Sequence, residues 1–226
     1  MAVQFVQPYR FTEQQVARMA EAGILPQRGA ELLDGIVYRA GKPVRFDRGT
    51  YYRLAEIGVL GEHAHVELID GEIIEMTPAG SRHAACVTRI TRLLMARTAD
   101  VVVRSEKPLW LPDDYDPEPD VAVLRPEPRE YEDAHPTHHD ALVVVEVAES
   151  SIHYDRHVKA ERYADAGIPE YWLFDLTRDQ VLIHERPAGG AYTEIRVYGA
   201  GESWSSPVLS GLTVSVDDVI KPRSAL

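Results

Sequence analysis

The chain has a single cysteine, Cys86, in 226 residues. That excludes an internal disulfide and a cysteine-built metal cage. No apolar run approaches the roughly 18 residues of a membrane span. The opening MAVQFVQPYR has neither the basic nor the apolar region of a signal peptide. The expectation is a protein of the reducing cytoplasm with no membrane partner. Positive charge is also short, with 24 Lys and Arg against 36 Asp and Glu, a net −12. Such a balance argues against general attraction to nucleic acid. There is no glycine-rich phosphate loop, no dinucleotide fingerprint and no defensible Ser-His-Asp order.

The length and a hydrophobic content of 45% suit one large domain, or one domain with an appendage. Acidity is concentrated between Pro112 and Asp140, where ten acidic residues face two arginines. This proline-rich stretch, with the tract HPTHH (His135 to His139), reads as solvated loop around the short strand DVAVL.

The N-terminal third repeats itself. Ala20-Glu21-x-Gly23-x-Leu25 aligns with Ala55-Glu56-x-Gly58-x-Leu60, and ELLDG (31 to 35) with ELIDG (67 to 71). Each copy reads as a short helix closed by glycine, then a hairpin turning at Asp-Gly, the preferred sequence of a type I′ turn. Residues 1–44 are expected to be an appendage and 45–226 the main domain. A lone hairpin is marginal in water, so the first copy is expected to pair with the main sheet, its own or a partner's. A homodimer is the expected assembly.

Downstream, Ser81 to Thr98 has helical spacing, with Ala84, Val87, Ile90, Thr91 and Leu94 on one stripe and Arg82, Arg89 and Arg92 on another face. Strands are expected over Val101 to Leu111, Asp120 to Leu124 and Leu142 to Ala148. A helix over Asp155 to Ala166, N-capped by Asp155, then leads to a strand over Glu170 to Asp175. The order α-β-β-β-α-β describes an α/β sheet with helices against it.

Two carboxylates stand out. Asp120 opens one central strand, and Glu146 sits inside the next, in the apolar run ALVVVEVAESS. An unpaired buried carboxylate is expensive. Two close carboxylates must share a cation or protonate one member, and magnesium suits the first case because it takes oxygen ligands. An arginine or lysine from a packing helix would satisfy Glu146 equally well. His153 and His157 have a zinc-compatible spacing, but no third ligand is spaced to join them.

EPD (118 to 120), VVEVAESSIHYDRHVK (144 to 159) and YADAGIPEYWLFD (163 to 175) resemble the Uma-two family, assigned to the PD-(D/E)XK nuclease superfamily. The likeness runs from about Arg45 to GLTVSVDDVI near the C-terminus. It implies a restriction-endonuclease-like αβββαβ core with a mixed central sheet, here carrying the N-terminal helix-hairpin duplication. It implies a metal-dependent endonuclease hydrolysing phosphodiester bonds, DNA before RNA. Asp120, Glu146 and the Val147 carbonyl would hold Mg2+ or Mn2+. The superfamily lysine belongs two residues after Glu146, where this chain has Ala148; Lys159 occupies the family's matching place on the next helix. The superfamily acid of the first core helix is also missing. His83 is the nearest polar substitute there, and Glu67 or Glu72 of the second hairpin would supply a third oxygen ligand. The missing strand lysine and the net charge leave a rival open: a catalytically silent scaffold serving as an interaction or regulatory module.

Overall fold

The computed structural model describes residues 7–61, 64–76 and 79–221. By internal contacts the chain divides into two units, Phe5–Pro78 with Leu111–Pro117, and the remainder. Both copies of the repeat lie in the first of these. This partition differs from a division at residue 44.

The duplicated unit contains β1 (Gln7–Pro8), α1 (Glu13–Glu21), β2 (Ala30–Leu33), β3 (Ile36–Arg39), β4 (Lys42–Pro43), α2 (Arg48–Glu56), β5 (Val66–Ile69) and β6 (Glu72–Glu75). Thr12 and Asp47 cap the two helices through their side chains, as the residue types favour. Both hairpins turn on Asp-Gly pairs with positive φ, 48° and 77° at Asp34-Gly35 and 52° and 75° at Asp70-Gly71. That is the type I′ geometry read from the sequence.

The copies exchange their leading strands. β1 of the first copy pairs with β6 of the second, and β4, which leads the second copy, pairs with β3 of the first. Tyr9 N–H donates to Ile73 O at 2.8 Å, and Val44 N–H donates to Val37 O at 2.8 Å. Phe11 and Phe46 occupy matching places and meet with ring centroids 5.8 Å apart. The buried side chains of both copies, among them Met19, Leu25, Val37, Leu54, Leu60 and Ile73, form one core. Among the described residues, neither hairpin joins the chain's own main sheet, which corrects that half of the expectation for the first copy. The segment before each helix already occupies an edge of the other copy's hairpin.

The larger unit carries α3 (Ser81–Arg97), β7 (Val102–Arg104), β8 (Val121–Leu124), β9 (Ala141–Ala148), α4 (Ile152–Tyr154), a π-helical stretch Asp155–Lys159, α5 (Ala160–Asp165), β10 (Glu170–Asp175), β11 (Gln180–Ala188), β12 (Ala191–Tyr198), β13 (Ser203–Ser205), β14 (Thr213–Ser215) and α6 (Val216–Val219). The αβββαβ order is present. The six-stranded sheet has the order β12-β11-β10-β9-β8-β7. β9 and β10 are parallel, and every other neighbouring pair is antiparallel. The sheet is therefore mixed. β7 is shorter than expected because the chain turns out of the strand at Glu106, where φ is 51°, just before Pro108.

Alternation splits β9 between two environments. Val143, Val145 and Val147 join Trp172 and Phe174 of β10 and Cys86, Val87, Ile90, Leu93 and Leu94 of α3 in the main core. The buried stripe of α3 is thus rotated from the expected one, leaving Ala84 exposed and Thr91 half-buried. Tyr163, Tyr171, His184 and Tyr192 form a second, aromatic cluster, in which Tyr163 and Tyr171 lie 5.1 Å apart and Tyr171 and His184 also 5.1 Å.

Candidate functional site

Glu146 sits in β9, paired with Leu173 of β10 on one side. On the other side β8 begins at Val121, opposite Val145, so Asp120 arrives at the level of Glu146 as β8 opens. Asp120 immediately before β8 and Glu146 inside β9 are the strand positions expected from the sequence. Asp120 Oδ2 accepts from the Val147 N–H at 2.6 Å and lies 3.1 Å from His83 Nε2, in the first turn of α3. In a strand the N–H and C=O of one residue face the same edge. The Val147 carbonyl therefore points to the edge on which Asp120 sits.

Glu146 is met from the helical side. Lys159 Nζ donates to Glu146 Oε1 at 2.8 Å, and Tyr163 Oη donates to the same oxygen at 2.7 Å. Lys159 and Glu146 are each about 5% exposed in their side chains. Asp155 Oδ1 stands 4.0 Å from the ammonium on its other side. Ser151 Oγ donates to Asp155 Oδ2, and Tyr171 Oη donates to the Asp155 main-chain oxygen at 3.1 Å. Asp155 is thus buried inside the helix rather than capping it. The helix starts three residues earlier than expected, at Ile152.

The π-helical turn ends on Lys159. Such turns are uncommon, and they cluster at functional sites because a widened turn re-aims side chains. Here it presents Asp155 and Lys159 toward β9, and Tyr163 follows one turn later to reach the same carboxylate. The strand position Ala148 is fully buried. The helix supplies the cation that the strand lacks.

Two titrations follow from this packing. Burial penalises the charged form of His83, yet the hydrogen bond to Asp120 and the charges of Asp120, Glu146 and Glu106 outweigh it and raise the pKa above 6.5. Burial pushes the Asp155 carboxyl up, against the opposing pull of Lys159 and Ser151.

Among the described residues, no three His, Cys, Asp or Glu side chains gather as a metal cluster. Asp120 and Glu146 could offer side-chain oxygens to a cation, with the Val147 carbonyl on the Asp120 side. An all-oxygen set of this kind fits Mg2+ or Mn2+, which keep several waters or take substrate oxygens for the remaining positions. Glu72 is ion-paired with Arg45 at 2.8 Å, and Glu67 is buried in its hairpin; both belong to the duplicated unit. Of the arginines on α3, Arg82 binds Leu176 O and Asp179, and Arg89 binds Val219 O at 3.1 Å. These two are tied into the fold.

Sequence reasoning missed Tyr163 and the burial of Asp155. A spacing signal existed, since Asp155, Lys159 and Tyr163 recur every four residues and so share a helical face. What that face covers was not in the spacing.

The family model Uma2, described as "Putative restriction endonuclease", matches residues 49–217. The chain belongs to the Uma2 family. Its structure is similar to a crystal structure described as "a putative nuclease belonging to DUF820 from Anabaena variabilis ATCC 29413", with a TM-score of 0.55 at 17% identity over 69% of this chain and 89% of that one. At that identity the likeness carries the fold, which is restriction-endonuclease-like. No curated protein matches the sequence.

Proposed function

We propose that this Uma2 chain is a divalent-metal-dependent endonuclease that hydrolyses phosphodiester bonds of DNA. One observation supports it above the rest: Lys159 and Tyr163 converge on Glu146, one strand from Asp120, whose carboxylate is held by the Val147 N–H and His83. Asp120, Glu146 and the Val147 carbonyl would hold Mg2+ or Mn2+. When bound, the ion polarises a phosphoryl oxygen and lowers the pKa of a coordinated water. The chain's own groups do the rest. The Lys159 ammonium offsets charge that develops on the equatorial phosphoryl oxygens. Tyr163 fixes the Glu146 carboxylate by occupying Oε1, and His83 fixes Asp120 through Oδ2. The net −12 limits attraction to DNA in the metal-free state, so binding depends on the loaded site.

A second reading has an observation of its own. The Lys159–Glu146 pair is buried and hydrogen-bonded without any metal, which is what a catalytically silent scaffold would also need. Cleavage assays on single-stranded, duplex and branched DNA and on RNA separate the two. The nuclease shows slow cleavage that a chelator stops, that Mn2+ or Mg2+ supports better than Ca2+, and that Asp120→Ala and Glu146→Ala each abolish. No cleavage of any substrate, or cleavage that survives in the double variant, sinks the nuclease. The protein would act in the cytoplasm as a homodimer.

A further inference from the structure

We infer that β12 is the pairing edge of a homodimer, in which two copies join antiparallel about a two-fold axis at Ile195. The inference is independent of the proposed hydrolysis, since it rests on the sheet edge alone. The six-stranded sheet ends on β12. The strand spans eight residues, Ala191–Tyr198, bonded to β11 on one side. Among the described residues, no main-chain hydrogen bond links its outer side to another segment. Soluble proteins usually blunt such an edge by shortness, proline, lysine or a bulge. AYTEIRVY has no proline and no lysine, and its register with β11 does not shift, although the ladder skips the Arg186–Thr193 pair where Arg186 takes φ 57°. Ile195 and Val197 are 52% and 53% exposed, and alternation places them on one face. A long edge with exposed apolar side chains invites another strand.

The sequence of β12 singles out a second copy as that strand. Antiparallel pairing centred on Ile195 sets Ile195 against its own image and Val197 against Thr193, which doubles the apolar row. The same register sets Glu194 against Arg196 twice and Tyr192 against Tyr198 twice. A shift of two residues' summed register in one direction puts Glu194 opposite Glu194; in the other it puts Arg196 opposite Arg196. A one-residue slip would put charge opposite isoleucine. Opposite charges across a strand pair stabilise by a few tenths to about 1 kcal/mol, and like charges cost a similar amount. Glu194 and Arg196 already pair with each other, and with Arg186 and Glu185, inside the chain. This register alone extends those pairs across the axis without setting like charges opposite each other. A single strand pair buries less than the roughly 1,600 Å² of a standard interface, so the dimer is expected to be concentration-dependent.

The chain is tested by sedimentation across a wide concentration range, with the mass rising toward that of two chains. Ile195→Lys and Glu194→Arg alter exposed or half-exposed side chains, so both should fold with melting temperatures near the parent's while dimerisation weakens at least tenfold. Arg196 is left intact because it pairs with the buried Glu185. Ile195→Cys gives a position-specific reading. Mild oxidation should yield a disulfide-linked dimer, whereas the parent should not cross-link, because Cys86 is buried and burial pushes its thiol pKa up to about 12. A parent that stays monomeric at every concentration overturns the proposal. So does a dimer that both Ile195→Lys and Glu194→Arg leave intact, or one in which the cysteine variant fails to cross-link.

Discussion

Lys159 Nζ lies 2.8 Å from Glu146 Oε1 with both side chains about 5% exposed. A charge pair this deep is costly to break from one side, because the survivor is left in a poor dielectric. Glu146→Gln should therefore destabilise the metal-free protein by about 3 kcal/mol, and Lys159→Met by a similar amount. Asp155, 4.0 Å from the ammonium, limits the first loss. Removing both charges together should cost less than the two single losses added, by about 1–3 kcal/mol. Urea unfolding of the four proteins measures this. Additive losses would mean the two groups do not interact.

Tyr163 separates orientation from ligation. Its hydroxyl donates to Glu146 Oε1 at 2.7 Å, and Tyr163→Phe removes that bond without adding volume. Stability should fall by about 1–2 kcal/mol. Mn2+ should still raise the melting temperature of the variant, since the carboxylates remain, while cleavage slows roughly tenfold through a loosely held Glu146, a loss of about 1.4 kcal/mol in the barrier. In Glu146→Ala the metal-induced rise should vanish. If Tyr163→Phe also loses that rise, the hydroxyl belongs to the binding site itself.

His184 predicts an acid limb of stability. Burial depresses its pKa from 6.5 to about 4, against hydrogen bonds that the ring donates to neighbouring main-chain oxygens. The unfolded chain then binds a proton that the folded chain refuses. Stability is undiminished above about pH 6.5, falls as pH drops below that value, and has lost this contribution fully by about pH 4. The loss is about 3 kcal/mol. Glu170 works the other way, because burial raises its carboxyl pKa and the folded state takes up its proton first. Comparison with His184→Gln isolates the histidine: the parent should lose more stability than the variant between pH 6.5 and 4. Parallel pH profiles would show that His184 is not held neutral.

The exchanged strands predict that the two repeats depend on each other. Deleting residues 1–44 removes β1, the partner of β6, and the whole of the sheet formed by β2, β3 and β4. Phe11→Ala opens the core where Phe11 meets Phe46, at a cost of about 3–5 kcal/mol. Both changes should lower the melting temperature. A truncated protein as stable as the parent would make the first copy an idle appendage.

Local chemistry was legible in the sequence. Asp34-Gly35 and Asp70-Gly71 specify type I′ turns because few other pairs accept two successive positive φ values. Glu146 announced itself as the carboxylate in an otherwise apolar central strand, and Asp120 as the acid opening the strand before it. The αβββαβ order followed from apolar periodicity together with the breaks at Pro119, Gly167 and Pro169. Lys159 was reached only through family resemblance, since nothing in its surroundings distinguishes it from a surface lysine.

The tertiary structure decided who meets whom. Lys159 and Tyr163 lie 13 and 17 residues from Glu146 in sequence, and His83 lies 37 from Asp120. Periodicity says which face of an element is buried, but it does not name the group that covers it. The repeats show the same limit, because each leading strand had two nearly identical hairpins to choose from. Both would offer it the same main-chain donors and acceptors. Only the joint packing of Phe11, Phe46 and the shared core settled the exchange, because those contacts exist in no single copy.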